Sequence, residues 1–202
     1  MRGTPLHRED AARLFMGTRH NPMVVTAILR LRSQLSLGAL RDLVETRALH
    51  IGRMRARIVV PWVGAPYWVE PPHLRAEDFV SALPRADDER TLAERVATIA
   101  AHPLDPSKPP WHLWLIDGPE GTTVVARIHH AIADGVSLLG VLFALSDEGA
   151  GMNPISPEPP RAKFSASSWL TRLAGAPKTA RPPLLARTLG GHKRFAWSRP
   201  LP

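Results

Sequence analysis

Seven consecutive residues, His129-His130-Ala131-Ile132-Ala133-Asp134-Gly135, concentrate the reactive groups of this chain. They stand where a strand pattern gives way to a helix pattern. An imidazole facing a cleft is a natural general base, because its reference pKa of about 6.5 lets it take and return a proton near neutrality. A hydroxyl nucleophile needs that help, since a neutral alcohol attacks poorly. Asp134 can cap the following helix, accept from an imidazole N–H, or pair with an arginine. Gly135 removes a side chain where a substrate would need room. Taken singly, His129 reads as a packed structural residue and Asp134 as a helix N-cap; their combination with His130 and Gly135 is what points to a site. Successive strand side chains face opposite ways, so the two histidines diverge if both lie on the strand. No other His or acid stands at a ligand spacing, and no metal site is expected.

Several elements must position that junction. Residues 122–129 form a short β-branched strand opened by the turn Gly118-Pro119-Glu120-Gly121, and 136–146 a strongly apolar helix. Upstream, 6–15 reads as a short helix. Residues 23–31 read as a strand whose near-continuous apolar character suggests burial on both faces. Ser36 caps a helix over 37–49 that Gly52 stops. Residues 53–60 alternate as a strand, with Arg53, Arg55 and Arg57 on one face. Residues 61–66 are a turn, 67–69 a short strand and 71–84 irregular. A helix over 87–101 has an acidic first turn. After the loop 102–110, a strand over 111–116 enters a hairpin with the central strand. This order of strands and helices predicts an α/β layer fold.

Composition narrows the class. There is no cysteine, which excludes a disulfide framework, a thiol nucleophile and thiolate metal sites. The N-terminus shows no signal pattern, and the longest apolar run, 136–145, is too short to cross a bilayer. A cytoplasmic protein, peripheral at a membrane at most, is expected. The net charge of +8 is unevenly placed. Residues 1–152 hold 17 basic and 17 acidic side chains; residues 153–202 hold nine basic side chains, one acid and nine of the 21 prolines. The chain reads as a neutral folded body followed by a basic, Pro-rich extension. A short helix at 164–173 is expected within that extension.

At this point a resemblance carries further. His129–Gly135 matches the HHxxxDG signature of the CoA-dependent acyltransferase superfamily, which includes chloramphenicol acetyltransferase and peptide-synthetase condensation domains. The chain resembles more closely the bacterial wax ester synthase/diacylglycerol acyltransferase family. Asn21-Pro22-Met23 is similar to its early NPM strand. Pro103-Leu104-Asp105-Pro106-Ser107-Lys108-Pro109-Pro110-Trp111, with Leu115-Ile116-Asp117-Gly118, is similar to its PLDxSxPLW…LIEG segment, though Pro110 stands where Leu is usual. Lys193-Arg194-Phe195-Ala196-Trp197-Ser198 resembles the KRxAWS stretch that opens its second half.

The resemblance implies a chloramphenicol-acetyltransferase-like lobe over 1–150, with a mixed sheet flanked by helices. It implies an interlobe linker over 151–187 and the start of a second lobe over 188–202. His130 is then the base that activates the hydroxyl of diacylglycerol or a long-chain alcohol toward an acyl-CoA co-substrate, with no further cofactor. The product is a triacylglycerol or wax ester. Asp134 is a brace paired with an arginine, for which Arg55 is the candidate, so Asp134→Asn is expected to damage the fold. The site lies between two lobes in such enzymes, so the isolated chain is expected to be weakly active or inactive. Alternatives are a non-catalytic lobe needing a partner chain, and a condensation-type acyltransferase. The basic extension suggests a solvated linker or an anionic-lipid contact at a membrane or lipid-body surface; nucleic acid is the less favoured partner.

Overall fold

The strand leading into the histidine pair is buried on both faces, and the fold is arranged around it. The computed structural model describes residues 3–18, 21–152 and 154–155. All belong to the first of two compact units, Met1–Pro159. The short helix expected at 164–173 and the second-lobe start at 188–202 lie outside the described residues. In chain order the elements are β1 (Thr4–Pro5), α1 (Arg8–Met16), β2 (Val24–Leu31), α2 (Leu37–Thr46), α3 (Gly52–Arg55), β3 (Arg57–Val59), β4 (Tyr67–Val69), β5 (Val80–Leu83), α4 (Glu89–Ala101), β6 (Trp111–Gly118), β7 (Gly121–His129) and α5 (Gly135–Ala144). This is a mixed α/β fold.

The larger sheet has the order β2-β7-β6-β5, with β5 parallel to β6 and the other pairs antiparallel. One face carries Trp111, Leu113, Leu115, Val124, Ala126 and Ile128 into the main core with Leu40, Val44, Leu138 and Val141. The other carries Ile116 and Val125 against Leu92, Val96 and Ile99 of α4. Covering both faces buries β7 along nearly its whole length, whereas β2, expected to be buried on both faces, is the edge strand of this sheet and leaves Ile28 half exposed. A smaller antiparallel sheet, β1-β4-β3, stands apart.

Two expectations are corrected. Residues 53–60 are not one strand: α3 occupies the start, and only Arg57–Val59 is extended. The alternation of arginines imitates a period of two, but the backbone must turn at Met54, whose carbonyl accepts from the buried Trp111 indole at 2.7 Å. A buried indole N–H without an acceptor is costly, so this long-range bond overrides the local pattern. Residues 71–84 are not wholly irregular either. They contain β5, which extends the sheet beside β6 and brings Phe79 into a stacked contact with Trp111, ring centroids 4.4 Å apart.

The helix expected over 37–49 ends at Thr46 and is followed by a 3-10 turn, Ala48–His50. Its expected cap is present, with Ser36 Oγ accepting from the Ala39 amide at 3.1 Å. Arg127, buried on the α4 side of β7, donates to the carbonyls of Ile99 and His102. It thereby adds a donor at the C-terminus of α4, where the Ile99 carbonyl also accepts from the His102 amide at 3.3 Å.

Candidate active site

The junction is built by short backbone ties. β7 ends at His129, whose amide donates to the Pro110 carbonyl at 3.0 Å. The His130 amide donates to the Met23 carbonyl at 2.8 Å, and the Ile132 amide returns to the His129 carbonyl at 2.9 Å. Met23 sits at φ 54°, the only non-glycine residue with positive φ among the described residues. The Asn21-Pro22-Met23 stretch and the Pro109-Pro110-Trp111 stretch thus meet at the histidine pair, although they are about ninety residues apart in sequence.

The two histidines are differently held. The Nδ1 of His129 accepts from the Ala131 amide at 3.0 Å, so this ring braces the turn. Burial lowers its pKa, and the neighbouring His130 lowers it further. A ring that is neutral and already accepting at Nδ1 carries its proton on Nε2. His130 is half-buried, with Nδ1 shielded from solvent and without a hydrogen-bond partner among the described residues. A base acting through Nε2 keeps its proton on Nδ1, and that N–H gains from an acceptor.

Asp134 is exposed and caps α5, its carboxylate accepting from the Ser137 amide at 2.9 Å. That bond to Ser137 holds the carboxyl below the usual carboxylate range, with smaller attractions from Arg13 and His130. Arg55 is not at this carboxylate. It lies on α3 and approaches Glu70 at 4.0 Å on the surface. The neighbouring arginine is the one that reaches the junction: Arg53 Nη1 donates to the Ile132 carbonyl at 3.2 Å and contacts Asp10 Oδ2 at 3.0 Å. The Asp10 side chain is only 6% exposed and also accepts from Arg13 at 3.0 Å.

This buried Asp10–Arg53 link was not foreseen, because an acid in the first turn of a helix usually faces water. The one signal was the spacing of Leu6, Asp10, Arg13 and Leu14, which places Asp10 on the inner face of α1. Gly135 opens α5, and a Cβ placed there would meet nothing within 4 Å. No group of three or more His, Cys, Asp or Glu side chains gathers among the described residues. No helix among them is long and apolar enough to cross a membrane.

The mixed sheet and the strand-turn-helix that presents His129 and His130 define the fold shared by condensation domains and wax ester synthases. The X-domain from teicoplanin biosynthesis superposes with a TM-score of 0.61 at 19% identity, over 86% of this chain and 39% of that one; at that identity the likeness is one of fold alone. The wax ester synthase/diacylglycerol acyltransferase of Marinobacter aquaeolei VT8 superposes with a TM-score of 0.56 at 25% identity, over 67% of this chain and 35% of that one. The probable diacylglycerol O-acyltransferase tgs3 of Mycobacterium tuberculosis is 31% identical over 153 residues, 71% of this chain and 56% of the relative. The family pattern of the wax ester synthase/diacylglycerol acyltransferase catalytic domain matches residues 6–194, and the chain belongs to that family. It spans about half the length of the tgs3 relative and about a third of the Marinobacter enzyme.

Proposed function

We propose that this chain supplies the histidine-bearing wall of an O-acyltransferase that moves a fatty acyl group from acyl-CoA to diacylglycerol or a long-chain alcohol. The observation that carries the reading is the placement of His130 within the family's motif: a half-buried imidazole on a tied turn between β7 and α5. Its Nε2 takes the acceptor's hydroxyl proton. The resulting alkoxide attacks the thioester carbonyl, and the tetrahedral oxyanion collapses with loss of CoA thiolate, which the imidazolium can reprotonate. Holding both substrates against one edge supplies the proximity such a step needs. No further cofactor is required by this chemistry.

Asp134 and His129 serve as supports in this reading, the first capping α5 and the second bracing the turn. Arg53 fixes the Ile132 carbonyl. Gly135 leaves open space at the start of α5. A facing wall, from further polypeptide in the same or another chain, would complete a water-poor channel. Exposed apolar residues at helical spacing on α5, Val136, Leu139 and Phe143, support that requirement. Because the substrates are lipids, the site works at a membrane or lipid-body surface.

The test exchanges the matching segment of the Marinobacter enzyme for residues 6–155 of this chain and follows acceptor-dependent release of the CoA thiol. Turnover that His130→Ala abolishes while the fold persists is the expected result. Turnover that survives His130→Ala sinks the assignment of the base.

A further inference from the structure

The loop between β3 and β4 exposes more apolar surface than its length requires. Trp62 at its tip is 101% exposed, Val63 82% and Val60 55%. From Ile58 to Val69 there is no charged residue, and from 46 to 69 there is no acid. The tip is braced rather than loose. Pro61 and Pro66 restrict it, Gly64 turns it at φ 110°, and the Leu6 amide holds the Pro66 carbonyl at 2.9 Å. At its base β4 is paired on both sides, by β1 and by β3. Arg57 stands at the foot of the hairpin, with no carboxylate in ion-pair reach among the described residues, whereas Arg55, two residues before it, is 4.0 Å from Glu70, the residue that follows β4.

We infer that this hairpin tip is a membrane anchor, with Trp62 and Val63 entering the interface of an anionic phospholipid surface and Arg57 at its foot meeting the headgroups. Trp is suited to the boundary between headgroup and acyl chain, having an apolar body and one N–H donor. Arginine can lay its stem along the apolar rim and keep its charge at the phosphates. A preformed tip inserts without the ordering cost of a flexible loop. A protein partner fits less well: the tip offers one aromatic side chain, of about 150–250 Å2, and two valines, against about 800 Å2 per partner in a stable interface. The anchor deepens the lipid-acyltransferase reading and rests on it for its purpose, since it would hold the histidine edge near acceptors dissolved in the membrane.

The test sediments the full 202-residue protein with vesicles of phosphatidylcholine plus phosphatidylglycerol, and with phosphatidylcholine alone. The basic stretch 161–199 can attract the same vesicles, so variants of one chain are compared. Because Trp62 is fully exposed, its replacement leaves the fold intact, as circular dichroism would verify. Trp62→Ala with Val63→Ser is expected to weaken partitioning to the mixed vesicles roughly tenfold, and Trp62→Phe to keep most of it. Equal partitioning of the double variant and the parent overturns the anchor, as does no vesicle binding by the parent. A Trp62-dependent dimer in vesicle-free solution also overturns it, by assigning the tip to a second copy. Acyl transfer is read separately, with a detergent-dispersed acceptor, in the Marinobacter enzyme carrying residues 6–155 of this chain, because little turnover is expected from this chain alone. Its absence, with Trp62-dependent vesicle binding present, removes the enzyme reading and leaves the anchor; the converse removes only the anchor.

Discussion

The amide of His130 donates to the carbonyl of Met23 at 2.8 Å, and Met23 itself lies in the left-handed region at φ 54°. The proposed base is therefore held by a backbone conformation that an L-residue adopts at a cost of about 1 kcal/mol. A β-branched residue tolerates that region poorly. Met23→Val is expected to lower unfolding free energy by about 1–2 kcal/mol, whereas Met23→Gly stays within about 1 kcal/mol of the parent. Urea titration checks both. Equal stability of the Val and Gly variants would show that the conformation at 23 is not required.

The Asp10–Arg53 pair connects α1 to the turn after the histidines through the Ile132 carbonyl. Removing one member of a buried pair leaves the other charge without its partner. Asp10→Ala is expected to cost about 3 kcal/mol. Arg55→Ala breaks only a long contact between two exposed side chains, and about 0.5 kcal/mol or less is expected. Comparable urea midpoints for the two variants would contradict the buried link.

For Asp134 the cap geometry leads to an outcome other than fold damage by Asn. Its carboxylate caps α5 from an exposed position, and Asn caps nearly as well. Asp134→Asn should leave stability nearly unchanged at neutral pH, while Asp134→Ala should cost about 1 kcal/mol. The folded carboxyl titrates below its unfolded value. Its ionic contribution is therefore full above the usual carboxylate range and is lost as pH falls through the lowered value. The Asn variant should lack that part of the acid loss. Unfolding of the Asn variant at neutral pH would restore the brace assignment.

His112, on the α4 face of β6, shares a 2.9 Å hydrogen bond with Ser81, and its pKa is lowered to about 4, chiefly by burial and secondarily by Lys108. Between about 6.5 and about 4 the unfolded chain binds this proton and the folded chain does not. Stability should therefore fall as pH drops through that window, by on the order of 1–2 kcal/mol once partial exposure is allowed for. His112→Gln should flatten the slope. Urea midpoints at several pH values decide it, and parallel slopes for parent and variant would exclude His112 as the source.

Much of the site was legible because its signals are local. The two histidines, the acid that caps α5 and the glycine behind it form one strand-turn-helix, and each has a short-range reason for its place. The β6–β7 hairpin was legible for the same reason. The paired residues Gly118 and Gly121 bracket a two-residue turn, and Gly121 takes φ 134° with no room for a Cβ beside the Leu31 carbonyl. What failed was long-range. The short β5 is ordered by a parallel neighbour far along the chain, and α3 by the needs of the Trp111 indole.

The sequence by itself determined the β7–α5 junction, the cap at Asp134 and the family to which the chain belongs, because hydrophobic period, capping chemistry and a contiguous motif are written in neighbouring residues. Only the tertiary structure decided which arginine serves the junction. Arg53 and Arg55 are equally cationic and two residues apart, but the helical turn of α3 directs Arg53 to buried Asp10 and Ile132 and leaves Arg55 at the surface with Glu70. Charge type is a property of the residue; which charge is buried, and against what, depends on the packing of α1, α3 and the turn after β7.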